Sequence, residues 1–275
     1  MPDGSGLIIT KGLVMSNGIR EFLISQGYSG SFIEIHKFGR ITGLGTSFTP
    51  VCIGGVYKTP TPSAVSRLRV KAGDANDTAN GTGARMIRVD YIDTNLRQRV
   101  EYLTTAGASP SDWTTLNVFR LLSFRVHQSG TYASYPNFSH AADIVLEDES
   151  LAVWGTISAT DIPRARSQIG VYSVPQTLVK GAIVEGCFLS EITFSTATNK
   201  SVDFIVFERQ SNLDETVPYN AATIIDEFDG VELQFVVSDT VPRGPYSPGT
   251  DIGVLAKASV SSTASVNLEL ILALR

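Results

Sequence analysis

The sequence predicts an all-β protein: an antiparallel β-sandwich, jelly-roll-like, with one short helix near the N-terminus. Three observations lead there. Apolar and polar residues alternate with period two in about a dozen runs, the pattern of half-buried strands; the cleanest is Met86-Ile87-Arg88-Val89-Asp90-Tyr91-Ile92. The runs are joined by connections rich in Gly, Asn, Asp, Thr and Pro, not by helices, which favours a double sheet over an α/β fold. Only one stretch carries apolar residues at helical spacing.

That stretch follows a polar arm (residues 1–6) and two apolar pieces, 7–10 and 12–15. Ser16 or Asn17 is placed to cap a helix through Ile19, Phe22, Leu23 and Gln26, and Gly27 to end it. Its apolar stripe can pack on its own sheet or on a neighbouring subunit. Residues 31–38 alternate again. Residues 39–64 hold Pro50, Pro60 and Pro62 among Gly, Thr and Ser, and read as a long surface loop. Residues 65–71 and 84–92 are strands separated by a Gly/Asn/Asp/Thr loop, and Asp93-Thr94-Asn95 turns into a third strand.

Further along, 118–126 suits a core strand, and the loop after it carries Tyr132, Tyr135 and Phe138. Strands at 142–147 and 151–158 flank the acidic turn Glu147-Asp148-Glu149-Ser150. A short strand at 170–174 closes at Pro175. Residues 181–194 and 202–209, joined by Thr196-Ala197-Thr198-Asn199-Lys200, read as a hairpin. Residues 210–227 are polar around Ile224-Ile225. Residue 231 opens a strand, the prolines between 242 and 248 rule out a central strand, and two strands end the chain. The expected organisation is an arm with its helix, 1–30, and a sandwich, 31–275. A soft boundary near Pro175 would divide the sandwich into 31–175 and 176–275, and one continuous double sheet fits equally.

A chain of 275 residues with 43% hydrophobic and 18% charged residues can bury a large core and is not composed like a disordered protein. The net charge of −5 comes with 22 scattered basic residues, so the basic stripe of a nucleic-acid binder is missing. No segment is apolar for long enough to span a bilayer as a helix, and no secretion signal is evident. Cys52 and Cys187 sit in apolar runs and read as small buried hydrophobes, with a disulfide between them left open.

Signals of chemistry are weak. His36, His127 and His140 are far apart and lack metal-ligand spacing. Gly81-Thr82-Gly83-Ala84-Arg85 opens like a dinucleotide loop but leads into a strand, leaving no helix N-terminus for a phosphate. No Gly-x-Ser-x-Gly elbow occurs. Asp74, Asp77, Asp90 and Asp93 could hold calcium, though without its loop signature, and Asp77 suits an Asx turn. Glu147 and Asp148 could serve a glycosidase, but adjacent turn carboxylates are ordinarily solvated. Asn76 and Asn137 head glycosylation sequons, without meaning in an unsecreted chain. No catalytic residue, cofactor or metal ligand is expected.

The segment Asn76-Asp77-Thr78-Ala79-Asn80-Gly81-Thr82-Gly83-Ala84-Arg85 precedes an alternating strand ending in Tyr91-Ile92-Asp93. It resembles a family of virion structural proteins of tailed bacteriophages of the marine type, which carry an A-N-D-T-A-x-G-T-G-A-R segment between two strands. Fainter echoes are Phe38-Gly39-Arg40, Phe119-Arg120, Tyr172-Ser173-Val174-Pro175 and Gly249-Thr250-Asp251-Ile252. The strand after Asp93 and the stretch after Arg40 depart from that pattern.

The resemblance implies a non-enzymatic particle subunit, a head decoration or fibre, or a tail, collar or fibre-attachment protein. It would be assembled in the host cytoplasm as a homo-oligomer contacting other virion proteins, with no nucleic acid or membrane partner. Expected assembly contacts are Leu7, Ile9, Ile19, Phe22, Phe48 and Val51. An alternative is a receptor- or glycan-binding sandwich gripping sugar through Trp113, Tyr132 and Tyr135.

Overall fold

The computed structural model describes residues 17–28, 31–60, 64–130, 140–159, 165–210 and 222–275. In chain order the elements are α1 (Asn17–Ser25), β1 (Ser31–Leu44), β2 (Thr49–Pro50), a 3-10 turn (Ile53–Gly55), β3 (Leu68–Ala72), β4 (Ala84–Asp93), β5 (Gln98–Thr104) and β6 (Val118–Ser129). There follow β7 (Ile144–Asp148), β8 (Val153–Ile157), β9 (Val171–Ser173), β10 (Val184–Thr196), β11 (Val202–Arg209), β12 (Thr223–Val231), β13 (Gln234–Tyr246), β14 (Asp251–Lys257) and β15 (Ser262–Leu274). Every strand pair among the described residues is antiparallel. The fold is all-β with a single short helix, as the alternation predicts. That helix is not long and apolar enough to cross a membrane.

The chain forms two compact units. One comprises Met1–Val51, Gly170–Leu213 and Ala222–Arg275; the other comprises Cys52–Ile169 with Asp214–Ala221. Cys52–Ile169 is thus inserted between β2 and β9 of the first unit, so the units interleave along the chain.

The first unit has a four-stranded sheet, β1-β15-β10-β13, and a second sheet, β12-β11-β14-β2, with β9 also paired to β14. Their inner faces meet at Phe194 of β10 and Phe204 of β11, with ring centroids 4.6 Å apart. The expected hairpin of 181–194 with 202–209 is therefore corrected: β10 pairs with β13 and β15, and β11 with β12 and β14. The connection crosses between sheets and brings Phe194 and Phe204 onto their facing inner sides. Residues 223–231, expected within a polar stretch, form β12. β13 carries Pro242 and Pro245 and lies at a sheet edge, where missing donors are tolerated.

The loop expected at 39–64 is also corrected. β1 runs on to Leu44, and the peptide after β2 is held by backbone bonds from Val51 N–H to Val254 O (3.0 Å) and from Gly170 N–H to Val51 O (2.9 Å). Gly39 makes room for this: a Cβ there would lie 2.3 Å from Val51 O. The proline-rich composition concealed a segment that is buried along much of its length.

α1 ends as its sequence predicts. The amide of Gly27 donates to Ile24 O (2.9 Å) and that of Tyr28 to Leu23 O (3.1 Å), with Gly27 at φ 93°, the Schellman pattern of a helix C-terminus. Leu23 packs against Phe188, Ile271 and Ala273, joined by Ile19, Phe22, Tyr28 and Phe32. The helix thus lies on its own sheet.

A register row across β11, β14 and β9 places Arg209, Asp251 and Ser173 side by side. All three are buried; Arg209 Nη2 donates to Asp251 Oδ2 (2.8 Å) and Ser173 Oγ to Asp251 Oδ1 (2.5 Å). Removing one partner of such a pair leaves a charge stranded without water.

The second unit has two three-stranded sheets, β3-β7-β8 and β5-β4-β6. β8 comes close to β6 at Gly155, where a Cβ would lie 2.9 Å from the Phe124 ring. The expected turns at Asp93 and at Glu147–Ser150 join β4 to β5 and β7 to β8. Cys52 and Cys187 are free and buried, and burial pushes the Cys187 thiol pKa up.

Asp251→Ala should destabilise the first unit by about 3–5 kcal/mol, whereas Ser173→Ala, which removes one neutral donor, should cost about 1 kcal/mol. Chemical denaturation of both variants checks this; equal losses would show that the Arg209 charge is not what the carboxylate holds.

Candidate functional site

The segment that carries the family resemblance is a structural node. Asp77 is fully buried. Its carboxylate accepts the amides of Ala84 (2.7 Å), Ala141 (3.0 Å) and Ala142 (3.2 Å), joining the start of β4 to the strand-leading residues of β7. Its carbonyl accepts the amide of Gly107 (2.8 Å). Gly83 is required beside it, since a Cβ there would lie 2.2 Å from Asp77 Oδ1. Arg85 closes the loop by donating from Nε to Gly81 O (2.8 Å). The Asx turn expected at Asp77 belongs to Asp74, whose Oδ1 accepts the amide of Asn76 (2.7 Å). Asp77 instead replaces a ladder where two irregular segments meet.

The weaker echoes are also architectural. Arg120 is buried, donates to Pro60 O (3.1 Å) and Phe119 O (2.9 Å), and lies 4.0 Å from the Phe119 ring centroid. Ser173 and Asp251 belong to the buried row already described, and Gly39 to the crossing under Val51.

The four aspartates do not converge as a calcium site would need. Asp90 pairs with Arg88 (2.7 Å), while Asp93 accepts the amides of Asn95 and Arg97 and pairs with Arg99. His36 sits 3.3 Å from Glu269, His140 meets Ala142 O (2.9 Å), and His127 packs against Tyr102. Among the described residues no group of three or more His, Cys, Asp or Glu is arranged to hold a metal.

The acidic turn is occupied by its own neighbours. Glu147 pairs with Arg69 (2.8 Å) and Glu149 with Arg67 (2.7 Å). Asp148 accepts Ser150 Oγ (2.6 Å), the Ala152 amide (2.9 Å) and the Trp154 indole N–H (2.9 Å). Burial works against ionisation of Asp148, but these donors outweigh it and hold its carboxyl below the usual carboxylate range. Of the aromatics suggested for sugar stacking, Trp113 has the Arg69 guanidinium 4.4 Å from its ring centroid and Arg67 at 5.8 Å. Its ring is engaged by cations of its own unit. Tyr132 and Tyr135 lie outside the described residues.

Of the expected assembly contacts, Leu7 and Ile9 also lie outside the described residues. Ile19 and Phe22 pack on the α1 cluster, and Phe48 lies 4.4 Å from Lys257 Nζ. Val51 is fully buried, with no surface left to face a partner. The backbone bonds at Val51 make it part of the sheet.

The surface that the sequence did not single out is the β12/β13 edge of the first unit. β12 ends one sheet and β13 the other. Ile224, Leu233, Phe235, Val236 and Val241 are exposed there, from 43% (Phe235) to 57% (Leu233). Phe235 continues the aromatic cluster of Phe194 and Phe228 out to solvent. Along the same stretch stand Asp226, Glu227, Asp229, Glu232 and Asp239, with no Lys or Arg between residues 223 and 241. Arg243, just beyond, pairs with Asp226. Between the sheet ends lies a cavity of about 420 Å³, lined by Ile224, Ile225, Pro245, Tyr246, Glu208 and Thr250 among others. An open edge with exposed apolar side chains invites another strand unless something covers or repels it.

No protein-family model matches this chain, and no curated protein does. Among solved structures, the STIV MCP aligns over 86% of this chain and 97% of its own at 8% identity, with a TM-score of 0.23. The infectious bursal disease virus VP2 subviral particle aligns over 88% and 72% at 14% identity, TM-score 0.20. Superpositions at these scores do not establish a shared fold.

Asp77→Ala should speed hydrogen exchange at the amides of Ala84, Ala141 and Ala142 and destabilise the second unit by about 3 kcal/mol. Unchanged exchange at these amides would refute the node. For Asp148, the folded carboxyl ionises at lower pH than the unfolded one. Its contribution is therefore present above the ordinary carboxylate pKa of about 4 and fades as pH falls through the lower folded value. The melting-temperature gap between wild type and Asp148→Asn should accordingly narrow from about pH 6 to about pH 3; a gap independent of pH would contradict the assignment.

Proposed function

We propose that this chain is a non-enzymatic structural subunit of a tailed-bacteriophage particle, a head decoration or fibre or a tail, collar or fibre-attachment protein. It acts by contacts with its own copies and with other virion proteins. The observation that carries this reading is the fate of the resemblance segment. Its Asp77, Gly83 and Arg85 are committed to the architecture of the loop and its neighbouring segments. The polar groups that might suggest catalysis are likewise engaged pairwise, while an apolar and acidic sheet edge stays open.

Assembly of identical subunits uses broad surfaces of this kind and not a pocket. The glycan-binding alternative loses support at Trp113, whose ring already stacks with Arg69.

Mass spectrometry of purified particles, with the copy number of this chain, tests the proposal. Hundreds of copies would mean decoration, and a few to a few dozen a tail, collar or fibre position. Absence from purified particles would overturn it.

A further inference from the structure

The cavity at the end of the first unit carries chemistry that assembly does not use. It lies where the end of β11, the start of β12 and the end of β13 come together. At about 420 Å³ it has the size of a small-ligand site, roughly 300–1,000 Å³. Backbone pairing fixes its walls. Thr223 of β12 stands opposite Glu208 of β11, and Tyr246 of β13 opposite Cys187 of β10. The turn after β13 is closed by the Thr250 amide on Ser247 O (3.1 Å). It is tied to Val174 by the bonds from Gly249 N–H to Val174 O (2.8 Å) and from Val174 N–H to Thr250 O (2.9 Å). A pocket held in this way is formed before any ligand arrives.

The lining has two kinds of surface. Glu208, Gln210 and Thr250 offer a carboxylate, a carboxamide and a hydroxyl, while Ile224, Pro245 and Tyr246 offer apolar carbon and one aromatic ring. No Lys, Arg or His stands among the lining residues. Arg209 and Arg243, next to the lining in sequence, are committed to Asp251 and Asp226. The Glu208 carboxylate forms no ion pair among the described residues, so its charge stays in the pocket and repels an anion. A lone ammonium would satisfy Glu208 but has no apolar face for Pro245 and Tyr246. A neutral pyranose ring has both parts: adjacent hydroxyls that donate to the two oxygens of a carboxylate, and a C–H face that packs on apolar and aromatic surface.

We propose that this pocket binds a neutral pyranose, as a free sugar or as a unit of a polysaccharide. Glu208 accepts hydrogen bonds from adjacent hydroxyls, Gln210 and Thr250 orient the ring, and Pro245 with Tyr246 carries its C–H face. Trp113 belongs to the second unit and takes no part. The inference does not depend on the particle reading, because it is tested on the purified protein.

The test places the full chain on an array of neutral and acidic bacterial and animal glycans. Saturation-transfer NMR with free glucose, galactose, mannose and N-acetylglucosamine follows. Neutral glycans should be retained and acidic ones should not. Glu208→Ala and Gln210→Ala, both at positions with solvent access, should each weaken binding roughly tenfold or more at an unchanged melting temperature. Trp113→Ala should leave binding as it is. A transfer signal from a free sugar would assign a single ring as the recognised unit, and binding on the array alone would assign a chain. No binding of neutral sugars by either method, a preference for acidic glycans, or binding that survives both pocket variants would overturn the proposal.

Discussion

One buried carboxylate anchors each of the two units. Asp251 is the centre of a row across β11, β14 and β9, and Asp77 gathers amides from two segments far apart in the chain, at Ala84 and at Ala141–Ala142. A sheet satisfies its own backbone; the connections between sheets do not, and a buried amide without an acceptor is costly. In the second unit the Asp77 carboxylate supplies what the missing ladder would, and in the first the Asp251 carboxylate neutralises the buried Arg209 across strands that are already paired. The remaining structure depends on that: the second unit leaves the first after Val51 and returns at Gly170, where the first unit's own backbone closes the gap.

This also explains why the residues of the resemblance segment look like a functional site and are not arranged as one. A Gly-rich loop carrying Asp and Arg is the usual preparation for binding a phosphate or a cation. Here Gly83 makes space for the Asp77 carboxylate, and Arg85 returns to Gly81 O. Ionic groups elsewhere follow the same course: Arg67 and Arg69 serve both Trp113 and the acidic turn, and Arg120 lies against Phe119. What faces outward at β12 and β13 is apolar and acidic.

The local reading of the chain succeeded where a property is set by neighbours in sequence. Period-two alternation marked β4, β5 and β6. A capping residue at Ser16 or Asn17 and the Gly27 stop marked α1, and the turns at Asp93 and Glu147–Ser150 placed two true hairpins. It failed where pairing partners are distant. β10 and β11 looked like a hairpin because alternation states which face is buried but not which sheet a strand joins. Residues 39–64 looked like a loop because Pro50 and the glycines mask a peptide whose bonds are to Val254 and Gly170, far along the chain.

The sequence by itself determined that the protein is built of strands, where most of them run, and that its ionisable residues lack the spacing of a metal or nucleotide site; these follow from side-chain periodicity and short-range geometry. Only the tertiary structure decided which strands share a sheet, that one unit is inserted in the other, that Asp77 and Asp251 are buried anchors, and that β12 and β13 are left as edges. Each of these depends on contacts between residues tens to hundreds of positions apart, and no local pattern records such a partner.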